Sequence, residues 1–332
     1  FNQILSIDRD PITGASGETI NAGEIRNEGI EISAGFVPIK TKDFTWSFNL
    51  NWSANHNKLI RLQDGWDPAE PLQASMGTTI GSRTYVYSYV GQEMYYIYGR
   101  GYQRAPQGSY YIDSNGNKVD CSGMKLINAT TGMPILDDSP TRRIGKVNPD
   151  WRAGMTQSFQ YKNLTLSANF SAQMGGHCFS VTNFSLSYQG KLKNSLAGRD
   201  NGLTVNGVNA VTNSDGTITY QKNTTTVSSV VTYYNKYVWV RDNTEENTFS
   251  TNFFKCKEIR LDYSIPRHLL NKVKFLQNAH VGAWVTNVFC ITKFPQYDPE
   301  TGMLNGTSIY NGIETMAYPM TRSYGMNLVL AF

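Results

Sequence analysis

The chain has 332 residues, with 29 glycines, 20 tyrosines and only 17% charged side chains, a balance that leans towards β-structure and gives helix formers no dominance. Its net charge of +4 is small for the length and no basic run exceeds Arg142-Arg143, so nucleic acid is excluded as a partner. Apolar runs such as Leu328 to Phe332 are a handful of residues against the roughly 20 of a membrane-spanning helix, which excludes a helical membrane protein but not a barrel, whose spanning strands need about 9–11 alternating residues.

The chain opens in a predicted strand, Phe1 to Ile7, with no initiator Met and no signal peptide; the expectation is a fragment. A second strand carries Ile30, Ile32, Ala34 and Phe36 on one side and Glu31, Ser33 and Gly35 on the other. After the polar turn 38–43 comes the clearest strand. Phe44, Trp46, Phe48, Leu50 and Trp52 alternate without a fault with Thr45, Ser47, Asn49 and Asn51. An apolar row of that length, aromatic at both ends, suits hydrocarbon bounded by two headgroup interfaces, with the polar row in a watery lumen. Glu31 is costly in lipid and belongs on the lumen side.

Further strands are predicted at 79–90 and 94–104 about a turn at 91–93, at 150–160 and 164–176 about 161–163, and at 250–265 and 276–292 about 266–275. The last runs from 318 to 332, with Phe332, Leu330, Leu328, Met326 and Tyr324 on one face. That makes about ten. The connections sort by parity. Those at 38–43, 91–93, 161–163 and 266–275 are short, whereas 61–78, 105–149, 177–249 and 293–317 are long. A soluble sandwich has no reason to sort its loops in this way; an outer-membrane barrel does, with tight periplasmic turns and long extracellular loops. The fold class predicted is therefore all-β, an antiparallel transmembrane β-barrel.

Candidate chemistry is sparse. Four cysteines (Cys121, Cys178, Cys256, Cys290) show no CxxC pair and the four histidines no metal or nucleophile–base spacing, so no catalytic residue, metal site or cofactor is expected. Near-symmetric placement about the turn at 266–274 leaves a Cys256–Cys290 cross-strand disulfide open, subject to register. Asp113-Ser-Asn115-Gly-Asn117-Lys-Val-Asp120 resembles half of a calcium loop, but Lys118 stands where glycine is wanted and the closing bidentate acid is misplaced; an Asn-Gly turn is the preferred reading. Loop aromatics are plentiful, among them Tyr110, Tyr111, Tyr188, Tyr233, Tyr234, Tyr237 and Tyr310, and rings with a polar edge stack on sugars and bond hydroxyls. Trp66, Trp239 and Tyr297 are the candidates for facing ligand or lid; packing of the loops against each other is the plainer alternative for any one of them.

Several segments together resemble the SusC/RagA-type TonB-dependent transporters of Bacteroidetes outer membranes. They are Asn21-Ala-Gly-Glu-Ile-Arg-Asn27-Glu-Gly29-Ile-Glu31, the stretch Phe44 to Leu62, Arg143-Ile-Gly145-Lys-Val-Asn-Pro149-Asp-Trp-Arg-Ala-Gly154, Tyr161-Lys162 through Gly176, Glu258-Ile-Arg-Leu-Asp-Tyr263-Ser-Ile-Pro266, and Phe294-Pro-Gln-Tyr-Asp298-Pro299-Glu300. The resemblance implies a 22-stranded barrel with an internal plug, of which residues 1–332 are the carboxy-terminal part, without plug or amino-terminal strands. It implies import of oligomeric nutrients, glycans first and peptides second, with a SusD-like surface lipoprotein as lid, TonB acting through the plug, and outer-membrane lipid around the wall. A passive porin or a siderophore- or vitamin-type receptor is the nearest alternative; an outer-membrane enzyme and a soluble carbohydrate-binding sandwich stand further off.

Overall fold

The computed structural model describes residues 4–8, 12, 14, 17–21, 23–73, 84–137, 142–238, 243–271, 275–295, 298–302, 312–314, 316 and 318–332. One seven-stranded antiparallel sheet dominates: β1 (Glu24–Lys40), β2 (Phe44–Arg61), β3 (Pro149–Tyr161), β4 (Leu164–Gly175), β5 (Phe253–Ser264), β6 (Asn278–Thr292) and β7 (Tyr324–Ala331), each paired with its neighbour in sequence. No helix among the described residues is long and apolar enough to cross a membrane.

Register turns the period-2 pattern of single strands into a two-faced wall. On one face Ala34, Leu50, Met155, Phe170, Cys256 and Phe289 lie side by side across six strands. The rows above and below are as apolar: Ile32, Trp52, Ala153, Ala172, Phe254 and Ile291 in one, and Phe44, Tyr161, Leu164, Tyr263, Val281 and Leu328 in another. From Phe44 to Ala54, ten residue steps are about 33 Å of strand and about 25 Å high at a tilt of ~40°, the height of an outer-membrane apolar band. The polar exception on this face, Gln157, is satisfied within it: Trp46 Nε1 donates to its carbonyl oxygen at 2.7 Å.

The opposite face is amide and hydroxyl. Asn49, Thr156, Thr165 and their neighbours line it, and Arg260 closes a two-bonded pair on Asp262, 2.6 and 2.9 Å, while reaching Asn327 at 3.3 Å. Glycine here makes room for the next strand's carboxamide: a Cβ on Gly35 would come 2.8 Å from Asn49 Oδ1, and one on Gly154 would fall inside the oxygen of Asn51. A larger residue at either position displaces the asparagine from the wall.

Three connections between wall strands are short (41–43, 162–163 and 265–277) and three are long (62–148, 176–252 and 293–323). Parity thus sorts more cleanly than the sequence suggests, because two expected wall strands are not in the wall. Residues 84–88 and 96–99 join Leu72–Gln73 and Arg143–Lys146 in a separate four-stranded sheet, which makes 62–148 a single long loop. Ile4–Asp8 likewise pairs with Gly17–Asn21 rather than with the wall. Seven of the ten expected strands form the wall, and three long loops rather than the four expected rise from it.

Cys290 stands opposite Lys255, and Cys256 opposite Phe289. Neighbours along a strand point to opposite faces, so the two sulfurs cannot meet; all four cysteines are free. The register sets Cys290 one residue past the position opposite Cys256.

Candidate functional site

The long loops form one body on the wall, held by three buried or half-buried acids. Glu93 ties the first loop down: its carboxylate lies 3.2 Å from Lys146 Nζ, Lys146 also meets Asp150 at 2.7 Å, and Tyr96 donates to the other oxygen at 3.1 Å. Burial works against the charge on Lys146, but its hydrogen bonds to Asp150 and Glu93 prevail and hold its pKa above the ordinary lysine value. Backbone bonds dock the same segment on β2, Gly91 N to Leu59 O at 2.7 Å and Leu59 N to Gln92 O at 3.1 Å. Glu245 joins the second loop to the first, accepting from Tyr102 N at 2.9 Å and pairing with Arg104 and, at 3.6 Å, Arg142. Glu314 sews in the third. It is 1% exposed and accepts from Ser180 Oγ (2.8 Å), Thr182 N (3.1 Å), Thr182 Oγ1 (2.5 Å) and Met316 N (2.6 Å). A buried carboxylate is tolerable only with this many donors.

The four-stranded sheet carries the most distinctive surface. Along Thr84–Ser88 the small residues Thr84, Val86 and Ser88 are buried, Val86 with Ile97 and Val147. That turns Tyr85, Tyr87 and then Tyr89 to the other side, where they meet Tyr98. Tyr85 and Tyr87 stack at 5.1 Å, Tyr87 and Tyr98 lie 5.5 Å apart, and Tyr89 meets Tyr98 edge-on at 5.6 Å. Arg143 covers the Tyr96 ring at 3.5 Å. Burial, with Tyr85 and Tyr89 adding to it, pushes the Tyr87 hydroxyl up to about 12, so it is a neutral donor throughout the physiological range. The half-buried rings of Tyr85, Tyr87 and Tyr89, backed by the buried Tyr98, can stack on a flat ligand face and hydrogen-bond its rim.

Two concavities flank this sheet's loop body. One, about 490 Å³, opens between the hairpins 110–112/118–120 and 208–212/218–222, with Tyr110, Tyr111, Ile112, Ile218 and Tyr220 on its walls. The other, about 400 Å³, lies past the end of helix Val181–Tyr188 and is lined by Tyr188, Arg199, Val231 and Tyr234.

Of the three candidates for facing ligand or lid, Trp66 is half-buried, packs on Leu59, Leu62, Leu72 and Met94, and donates its indole N–H to Glu70 O at 3.0 Å. Trp239 and Tyr297, like Tyr310, lie outside the described residues. Tyr233 and Tyr234 meet edge-on at 5.0 Å, and Tyr234 bonds Ala197 O at 2.9 Å. The Tyr85/Tyr87/Tyr89/Tyr98 face is absent from the sequence-based candidates because those residues read as wall; the shortness of Thr84–Ser88 and Tyr96–Gly99 is what sets them apart.

The 113–120 segment is a hairpin turn. Asp113 Oδ1 accepts from Asn115 N at 2.9 Å and Asn117 N at 2.8 Å, and Gly116 takes φ +80°. These backbone bonds, Asn117's first, hold the Asp113 carboxyl below the usual range. Among the described residues no three His, Cys, Asp or Glu are grouped to hold a metal.

No family model matches the chain. Among curated proteins it is similar to TonB-dependent receptor P3 of Formosa agariphila, 26% identical over 96% of this chain and 30% of that protein. TonB-dependent receptor SusC of Bacteroides thetaiotaomicron is 26% identical over 95% of this chain and 27% of that protein. The chain therefore spans under a third of the length of these relatives. Among solved structures it superposes on the RagAB peptide importer in its closed-closed state with a TM-score of 0.65 and 17% identity, covering 100% of this chain and 32% of that one. The open-open state gives 0.62. The wall thus has the fold of part of an outer-membrane β-barrel, and the chain is similar over nearly all of its length to part of these TonB-dependent receptors.

Proposed function

We propose that this outer-membrane barrel segment, a relative of the SusC-type TonB-dependent receptors, is the carboxy-terminal wall and loop body of an energised importer of oligomeric nutrients. Glycans are the preferred cargo and peptides the alternative. A SusD-like lipoprotein would cap the loops, and TonB would act through a plug outside these residues. The observation that carries the reading is the junction of a wall sorted between hydrocarbon and water with a loop body presenting Tyr85, Tyr87 and Tyr89 over a buried Tyr98. A porin needs the first and has no use for the second.

The tyrosine face supports oligosaccharide over metal chelate, since stacked rings offer flat apolar area and hydroxyl donors but no ligand set for a cation. Trp66, Trp239 and Tyr297 remain further candidates for facing ligand or lid. The test is binding by the full-length protein of a panel of maltooligosaccharides and, separately, of a tryptic peptide pool. Tyr87→Ala should weaken the bound class by about three- to tenfold, the worth of an aromatic stack, with barrel assembly unchanged. Saturable uptake of peptides alone would move the cargo to the second reading; no binding of either class would reject both.

A further inference from the structure

The chain's net positive charge falls in the short connections between wall strands. The short turns 41–43, 162–163 and 265–277, with Lys40 at the end of the strand that enters the first, hold six cations in sequence (Lys40, Lys42, Lys162, Arg267, Lys272, Lys274) and one acid, Asp43, whereas the three long loops together carry equal numbers of Lys/Arg and Asp/Glu. Since the whole chain is only +4, everything outside the short turns is within one charge of neutral. Lys272 and Lys274 lie outside the described residues; Lys40, Lys42, Lys162 and Arg267 are exposed. None of these four is in an ion pair among the described residues.

The same end is apolar in a particular way. The turns lie next to one another, Lys162 N donating to Asp43 O at 2.7 Å, and follow directly on the outer-face rings of Phe44, Tyr161 and Tyr263. Lys162 Nζ stays within 5.5 Å of the Tyr161 ring. In the third turn Leu269 is 49% and Phe275 66% exposed, and Phe275 stacks on Phe332 at 6.0 Å. Cations set just beyond a belt of exposed rings, continuous with the lipid-facing band, match a headgroup layer: rings at the interface, long basic side chains reaching into the phosphates.

We infer that the short-turn end of the wall is a docking surface for anionic phospholipid headgroups of the periplasmic leaflet. Neutral, long-looped at one end and basic, short-turned at the other, the wall is held by that leaflet at a fixed depth. The inference uses the barrel's membrane placement and not its cargo, so nutrient binding can fail while this surface stands.

The test is titration of the detergent-purified full-length protein with phosphatidylglycerol and with phosphatidylethanolamine, counting bound lipids by native mass spectrometry. The wild type should prefer phosphatidylglycerol, and neutralising Lys40, Lys42, Lys162 and Arg267 to Gln should erode that preference by up to about fivefold per cation. Lys118, Lys191, Lys193 and Lys222, exposed on the long loops, changed to Gln together, should leave it intact. Both variants must keep the heat-modifiable migration of a folded barrel; single substitutions replace the quadruple one if it does not assemble. Equal binding of the two lipids by the wild type, or equal loss in both quadruple variants, overturns the inference. So does capture of poly-glutamate by the short-turn end without lipid preference, which would give the surface to an acidic protein.

Discussion

Arginine placed on neighbouring positions of β2 separates the wall's two solvents. Leu50 is half-buried on the outer face between Ala34 and Met155, and Asn49 is on the inner face between Gly35 and Thr156. Leu50 is six residue steps from Phe44, about 20 Å of strand and about 15 Å of depth after tilt, too deep for a guanidinium to reach the turn-side interface without thinning the bilayer. Leu50→Arg should therefore cost about 2–4 kcal/mol, the range for a cation on a barrel's lipid face near mid-membrane. That is a shift of about 30- to 900-fold in the folding equilibrium. Asn49→Arg meets water and amides, and beyond the loss of the contact with Gly35 should cost no more than about 0.5 kcal/mol. Urea titration of the full-length protein in phosphatidylcholine vesicles, followed by tryptophan fluorescence, gives both numbers. Equal costs, or a larger one at Asn49, would refute the assignment of faces.

The Trp46–Gln157 bond supplies a second check on the same face: Trp46→Phe should destabilise by about 1–2 kcal/mol by leaving a carboxamide oxygen unpaired towards lipid, whereas Gln157→Leu, which orphans the indole N–H but sets an apolar side chain against hydrocarbon, should cost less, as read from the same titrations. Tyr87 should ionise near pH 12 rather than 10, visible as the difference in 295 nm absorbance between wild type and Tyr87→Phe. Because its folded pKa is raised, the contribution of the protonated ring is whole below pH 10 and lost as pH climbs towards about 12, so hydrogen exchange in 84–99 should accelerate over that window and not below it. Asp113→Ala should speed exchange at the Asn115 and Asn117 amides without changing calcium stoichiometry in equilibrium dialysis; a lost calcium ion would revive the metal reading.

Wall strands are legible in sequence because each must satisfy two solvents at once, and a run such as Phe44 to Trp52 admits one period only. Residues 84–99 deceive for the same reason. Thr84, Val86 and Ser88 alternate with Tyr85, Tyr87 and Tyr89 as a wall strand would, and alternation states that one face is buried without saying what the other meets. Length tells them apart: Thr84–Ser88 is five residues and Tyr96–Gly99 four, against 12 to 18 for β2 to β6. The Cys256–Cys290 register was beyond reach, since the alignment of Cys256 with Phe289 is set by the whole hairpin and marked by no local residue preference. The joining of the loops was equally hidden, because Glu93, Glu245 and Glu314 look like solvated acids until the fold brings their donors to them.

Those acids divide the molecule's labour. The wall draws its stability from transfer of its outer rows to hydrocarbon and from interstrand bonds, neither of which involves a nutrient. The loops instead bury small cores of their own, Val86/Ile97/Val147 in the first and Ile127/Met133/Val205/Val227 between the first and second, and lock them with carboxylates that each satisfy several donors. A change on the tyrosine face, such as Tyr87→Ala, touches neither the lipid-facing rows nor those locks, so its effects on binding and on assembly should be separable and additive with wall substitutions. A change at Glu314 should not be: removing it orphans the hydroxyls and amides of Ser180, Thr182 and Met316 together, loosening the third loop from the second while the wall, with its bonds intact, stays folded.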